Sequence, residues 1–355
     1  MNNSQTLAIT LSKVISAEAK GQYEKAFQCL SPFWDSISQF PNAIGLSGEE
    51  SAELFLRFGS VVGFLGNSQQ IINSQEISKD LLIQSRQRFL SLSYFEKVAE
   101  CENYLALVYS RKGQFTEATD WLNESFSRNL RENHPTRLYS FVIEAILDID
   151  RGKYEKVINR SQDLTELFSK HAGDLLNGSF HNHLAIAYKN LGNKDEALKH
   201  LKLARTFFQK SDHKIYYGAA ENNLAQLLHK VGLYEEAHLS AQKAKKIFEQ
   251  IGDKTREGYS LETRAQIFIA EGKFEKALKF VNAAILLLEG GESYRKLVES
   301  YRTKFFILLQ LNRLSEALTV IIAAHNIAAL YISQELSKEI IEGVADLILE
   351  RYKRF

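Results

Sequence analysis

One short phrase recurs along this chain, and that recurrence limits the possible folds more than any other feature. It reads "KGQYEKAF" at 20–27, "KGQFTEAT" at 112–119, "RGKYEKVI" at 151–158, "VGLYEEAH" at 231–238 and "EGKFEKAL" at 271–278. The shared core is a glycine, then an aromatic two residues on, then a short side chain three further: Gly21/Tyr23/Ala26, Gly113/Phe115/Ala118, Gly152/Tyr154/Val157, Gly232/Tyr234/Ala237 and Gly272/Phe274/Ala277. Weaker copies stand at Gly192/Lys194/Ala197 and Asn312/Leu314/Ala317. From Gly113 the anchors fall at 152, 192, 232, 272 and 312, in steps of 39, 40, 40, 40 and 40. Gly21 lies 92 residues before Gly113, room for two units, and Gly66 of "FLGNSQQI" sits midway. The pattern predicts eight units, the first two looser. A fixed period of this size marks a repeat architecture, in which each unit buries its apolar face against its neighbours.

Each anchor has a physical role. Glycine ends one helix, because the residue after a helix terminus often adopts the left-handed conformation; Asn312 is the usual second choice. The aromatic and the short residue three positions on share one face of the next helix, and the short residue lets two helix backbones approach closely. In "LGNKDEAL", Asn193 and Glu196 have the spacing of a capping box. Upstream, "LRFGSVVGFLG", "NYLALVYSRKG", "NHLAIAYKNLG" and "NNLAQLLHKVG" place an apolar residue eight before the anchor (Phe58, Leu105, Leu184, Leu224) and a small one after it (Gly59, Ala106, Ala185, Ala225). This is helical spacing on a packed face. Each unit therefore reads as helix A, tight turn, helix B.

Composition agrees with an all-helical chain: only 3 prolines occur in 355 residues, and 45% of the residues are hydrophobic. The formal net charge of +1 supplies no basic field for nucleic acid. Cys29 and Cys101 stand far apart, outside any metal-ligand or redox spacing, and read as reduced thiols. The N-terminus "MNNSQTLAIT" lacks the charged and apolar regions of a signal peptide. The most apolar run, "LTVIIAAHNIAALYI" (318–332), reads as too short for a membrane span and carries His325 and Asn326. These features predict a cytoplasmic protein. Residues 333–355 read as a final amphipathic helix, with Ile340, Ile341, Val344, Leu347 and Ile348 covering the last apolar face. Its basic end, Arg351, Lys353 and Arg354, suits a helix C-terminus. The apolar helix "YRTKFFILLQL" (301–311) is either core under that cap or a homodimer face.

The pattern around each turn resembles the tetratricopeptide repeat family, over about residues 5–331. The common unit of that family is about 34 residues, whereas this one is longer. The longer form is similar to the repeats of kinesin light chains, spindle-orientation adaptors and bacterial peptide-pheromone receptors. The resemblance implies a single all-α domain over 1–355: a right-handed superhelical solenoid of about eight antiparallel helix pairs. It has two divergent repeats over 1–94, six regular ones over 95–331 and a capping helix over 333–355.

In this family exposed groove positions lie thirteen, ten, nine and six residues before the turn glycine. Carried over, these are Glu100, Tyr139 and Tyr259; Asn103, Asn182, Asn222, Glu262 and Arg302; Arg57, Tyr104, His183, Asn223, Thr263 and Thr303; and Ser60, Gln226 and Gln266. The amides suit the alternating N–H and C=O of an extended peptide, although they could equally solvate an open face or brace neighbouring repeats. His181 and His183 point in different directions on a helix and cannot share a metal, and no metal, nucleotide or catalytic motif appears. The expectation is a non-catalytic scaffold that needs no cofactor or metal. It binds a protein or peptide in its groove, with no nucleic-acid or membrane partner, as a monomer or homodimer. The peptide-sensing part of a bacterial regulatory system and a self-assembling scaffold are the alternatives.

Overall fold

The structure is a computed structural model that describes residues 3–34, 37, 40–291 and 293–352, with side chains described over 5–34, 37, 40–291 and 293–343. Among these residues there are seventeen α-helices and no strand. They run as hairpin pairs: α1 (Asn3–Glu18) with α2 (Tyr23–Leu30), α3 (Gly48–Gln69) with α4 (Ser74–Ser91), α5 (Phe95–Arg111) with α6 (Phe115–Ser127), and α7 (Pro135–Asp150) with α8 (Tyr154–His171). Then come α9 (Asp174–Asn190) with α10 (Lys194–Lys210), α11 (Lys214–Lys230) followed in the chain by α12 (Tyr234–Gln250), α13 (Lys254–Ala270) with α14 (Phe274–Leu288), and α15 (Tyr294–Gln310) with α16 (Leu314–Tyr331). A last helix, α17 (Gln334–Tyr352), follows. The described residues are thus all-α, with helix following helix in the order the turn phrase predicts. Odd-numbered members of the pairs are A helices and even-numbered ones B helices. Contacts divide the chain into two compact units: residues Met1–Asn67 with Ile71–Leu227, and residues Ser68–Gln70 with Leu228–Phe355.

The turns have the expected chemistry. Gly192 has φ +82°; its N–H bonds the Lys189 carbonyl at 3.3 Å and the Asn193 N–H bonds the Tyr188 carbonyl at 2.9 Å, the paired bonds of a Schellman motif. Asn312 takes the same left-handed conformation, with φ 60°. Asn193 accepts the Glu196 N–H at 3.3 Å and so caps α10. Gly66 is different. It lies inside α3, and the chain turns later, through Gln70 (φ 62°) and Asn73 (φ 63°). A Cβ at position 66 would run into the Ser74 side chain, so this glycine serves close packing rather than a turn.

A second 40-residue rhythm lies in the B helices. Phe168, Phe208, Phe248, Leu288 and Ala328 occupy equivalent positions, and all are at most 1% exposed. Two of them face a glycine of an A helix: a Cβ on Gly178 would sit 2.6 Å from the Phe208 ring, and one on Gly258 3.1 Å from Leu288. Full burial of such a side chain contributes about 1.5–3 kcal/mol. The lost Cβ and the large side chain opposite it are therefore coupled by close packing.

The last two helices modify two expectations. α16 spans 18 residues and is long and apolar enough to cross a membrane by length and composition, so the run is not too short. Its Ala317, Val320, Ile321, Ala324 and Ala328 belong to the core of the second unit. α17 joins that core through Ile340, and its Ser337 hydroxyl lies 2.8 Å from His325 Nδ1. Ile341 is 45% exposed, on the other side of the helix from the one expected. The side chains of Val344, Leu347, Ile348 and Arg351, and residues Lys353 and Arg354, lie outside the described residues.

Candidate functional site

The A helices carry every groove position inferred from the repeat spacing, and the structure sorts these side chains by what already occupies them. In the first unit, Arg57 is buried on α3. Its guanidinium donates to Glu18 at 3.1 Å, to Glu53 at 2.9 Å and to Glu100. Lys97 joins them, 2.9 Å from Glu53 and 3.2 Å from Glu100. Burial alone would push Glu100 up, but the Arg57 and Lys97 cations outweigh it and hold the carboxyl below its ordinary range. Burial wins at Glu18, whose carboxyl is raised despite Arg57, and its Oε1 has no hydrogen-bond partner. Arg57 and Glu100 are thus committed to each other and tie α1, α3 and α5 together.

Asn103 is fully buried. Its Nδ2 donates to the Thr136 carbonyl at 3.1 Å, and its Oδ1 accepts the Ser140 hydroxyl at 3.0 Å, bracing α5 on α7. Tyr139 belongs to a row of rings, the tyrosines half-buried and Phe64 buried: Tyr23 stacks on Phe64 at 4.5 Å, Phe64 meets Tyr104 edge-on at 6.5 Å, and Tyr104 meets Tyr139 at 6.2 Å. Burial raises the phenols of Tyr23, Tyr104 and Tyr139. Ser60 is buried, and its hydroxyl has no hydrogen-bond partner.

Further along the same unit the amides are only partly committed. Asn223 Nδ2 donates to Asn182 Oδ1 at 3.0 Å, and Lys189 Nζ donates to Gln226 Oε1 at 2.8 Å. Asn222 is 8% exposed, and its Oδ1 has no hydrogen-bond partner. His183 is half-buried with Nδ1 unpartnered, and burial pushes its pKa down to about 4, so the ring is neutral near pH 7. His181 Nδ1 lies 3.0 Å from His200 Nδ1, a pair the sequence reading overlooked because its two members sit on different helices, α9 and α10.

In the second unit, Thr263 is buried and donates back to the Tyr259 carbonyl at 3.0 Å. Tyr259 is half-buried, with the Lys296 ammonium 5.6 Å from its ring centre. Glu262 Oε1 accepts from Gln266 Nε2 at 2.6 Å and from the Thr303 hydroxyl at 3.0 Å. Burial pushes the Glu262 carboxyl upward. Gln266, Arg302 and Thr303 line a pocket of about 320 Å³ with Ile269, Phe305, Phe306, Ile321 and Gly343 of α17. Arg302 is exposed and makes no ion pair or hydrogen bond among the described residues. No cluster of three or more metal-ligating side chains occurs among the described residues.

Residues 176–250, which comprise α9 to α12, match the family model described as tetratricopeptide repeat. This stretch carries tetratricopeptide repeats. Solved structures agree on the fold. A Rap protein complexed with competence and sporulation factor superposes with a TM-score of 0.62 at 14% identity, covering 96% of this chain and 99% of that one. NprR in complex with its cognate peptide NprX gives 0.56 at 12% identity, covering 98% and 85%. Aspartyl phosphate phosphatase F from Bacillus subtilis gives 0.56 at 14%, covering 93% and 85%. At these identities the likeness concerns the tetratricopeptide fold alone. No curated protein matches the sequence significantly.

Proposed function

We propose that the protein is a non-catalytic scaffold that binds a peptide or an extended partner segment on the A-helix faces of its repeats. The observation that carries this reading is the pocket of the second unit, where the exposed Arg302 stands beside Gln266, Thr303 and apolar walls. A protein that merely solvated this face would have no use for an apolar pocket there. The uncommitted Asn222 carbonyl in the first unit supports the same view, since an amide oxygen left dry costs about 1–3 kcal/mol unless something donates to it. Similar folds hold peptides: NprR is solved with NprX. The peptide-sensing part of a bacterial regulatory system is the second reading, supported by that layout and by the Rap protein solved with competence and sporulation factor. In either reading the protein acts in the cytoplasm as a monomer or homodimer. Its net charge of +1 favours a protein ligand over nucleic acid.

The test is a triple variant, Asn182→Ala/Asn222→Ala/Asn223→Ala, assayed against a random peptide array. A folded variant that loses the peptides captured by the unaltered protein supports the reading. Equal capture by both proteins contradicts it for the first unit.

A further inference from the structure

We propose that the turn between α1 and α2 and the loop before α11 form a clasp, and that a ligand reaches the A-helix faces of the first unit only when this clasp opens. This inference rests on the peptide-binding reading above.

Gly21 and His213 stand 192 residues apart, towards opposite ends of the first unit. The fold brings them into contact. Gly21 has φ 66°, and a Cβ there would lie 2.5 Å from His213 Cε1 and 2.9 Å from both ring nitrogens. The imidazole therefore rests on the bare Cα, in space that any larger side chain would fill. His213 is 2% exposed, so its ring is out of water.

The loop side of the seam is braced. Tyr216 stacks on the imidazole at 4.3 Å, and His213 Nδ1 accepts the Tyr216 N–H at 3.4 Å in the first turn of α11. Beside it, Lys214 lies 2.6 Å from Asp212 and holds that carboxyl below its ordinary value, and Lys20 of the first turn adds to the pull. Lys20 and Asp212 thus attract each other across the seam.

The seam gathers the A-helix faces. Tyr23, two residues past Gly21, joins the row of Phe64, Tyr104 and Tyr139. Burial raises the phenols of Tyr23 and Tyr139, and the Tyr216 phenol is near enough to raise both further. Rings from α2, α3, α5, α7 and α11 therefore converge, with groove positions Tyr104 and Tyr139 among them. α11 also carries Asn222, whose buried carbonyl has nothing donating to it. Opening the clasp frees the start of that helix and admits a donor.

The experiment links the two segments in the full chain. Cys29→Ser removes the one natural thiol that is not fully buried. Lys20→Cys and Asp212→Cys, both at exposed positions, place a thiol on each side of the seam, and circular dichroism checks the fold. A short bis-maleimide with a central disulfide joins them, and a reductant releases them. Peptides captured from a random array by the released form are then offered to both forms. The linked form should take them up roughly tenfold more slowly, as binding that waits on a conformational change does, and the reductant should restore the rate. Gly21→Ala, which forces the turn off the imidazole, should speed uptake and tests the gate without a linker. Failure of the linker to form, or no gain in uptake by Gly21→Ala, overturns the clasp. Equal uptake by the linked and released forms overturns the gate and leaves peptide binding standing. If neither form captures a peptide, the peptide-binding reading falls and the gate falls with it.

Discussion

The side-chain amide of Asn223 donates to the side-chain carbonyl of Asn182 across 3.0 Å, joining α11 to α9. Two residues marked as groove contacts thus spend hydrogen-bonding capacity on each other. Their neighbour Asn222 keeps a buried carbonyl with nothing donating to it. Stability and binding should therefore separate at these positions. Asn182→Ala should cost about 1 kcal/mol, because it strands the Asn223 donor, whereas Asn222→Ala should be near neutral or stabilising, because it removes an orphan acceptor. Urea unfolding of each single variant measures the difference. Equal losses would mean that Asn222 is satisfied in solution.

Arg57 is the hub of a buried network. Arg57→Met should destabilise the first unit by about 3–5 kcal/mol, because it strips Glu18 of its cation and leaves Glu53 and Glu100 with Lys97 alone. Denaturant melts near pH 7 test this. The loss should shrink in acid as those carboxylates become protonated, so a pH-independent loss would point to packing rather than charge.

The carboxyl of Glu262 is raised in the fold by burial above the ordinary 4.5. A raised carboxyl disfavours the folded state once ionised: its contribution is fully present below 4.5 and is lost as pH rises through the folded value. Glu262→Gln keeps an acceptor oxygen for Thr303 and Gln266 but carries no charge. The variant should gain stability over the unaltered chain at pH 7, and the gain should vanish below about pH 4.5. Paired thermal melts at pH 7 and pH 4 read it directly.

Gly21 and Gly232 both have positive φ, 66° and 82°, but their surroundings differ. A Cβ on Gly232 meets open space, whereas one on Gly21 would lie 2.5 Å from His213 Cε1, in the loop before α11. Gly232→Ala should cost only the backbone strain of about 1 kcal/mol. Gly21→Ala should cost clearly more, because the hairpin turn must also move off the imidazole. Equal costs in chemical denaturation would mean that the two segments are apart in solution.

The helix pairs could be read from the sequence because each turn is local: a glycine or asparagine, an aromatic and a short residue within six positions report their own geometry. Gly66 misled because a glycine that admits the Ser74 side chain looks, in one dimension, like a glycine that turns. The glycine of Gly178 that admits the Phe208 ring has a counterpart in Gly258 with Leu288, but each match joins residues thirty apart and no short phrase reveals it. The repeat spacing nominated the groove positions, and it could not say which were already occupied. The partners that saturate Arg57 and Asn103 lie 33 to 43 residues away in most cases, and only folding brings Glu18, Glu100, Thr136 and Ser140 to them. Arg302 was nominated by the same spacing, and its place in the lining of a pocket became visible only once the neighbouring helices were in place.

The central claim is that the A-helix faces hold a peptide. Hydrogen–deuterium exchange of the full chain, with and without a saturating array-derived peptide, tests it most directly. The account predicts added protection in α9, α11, α13 or α15, with the B helices α10, α12, α14 and α16 unchanged. Protection confined to the B helices would contradict it.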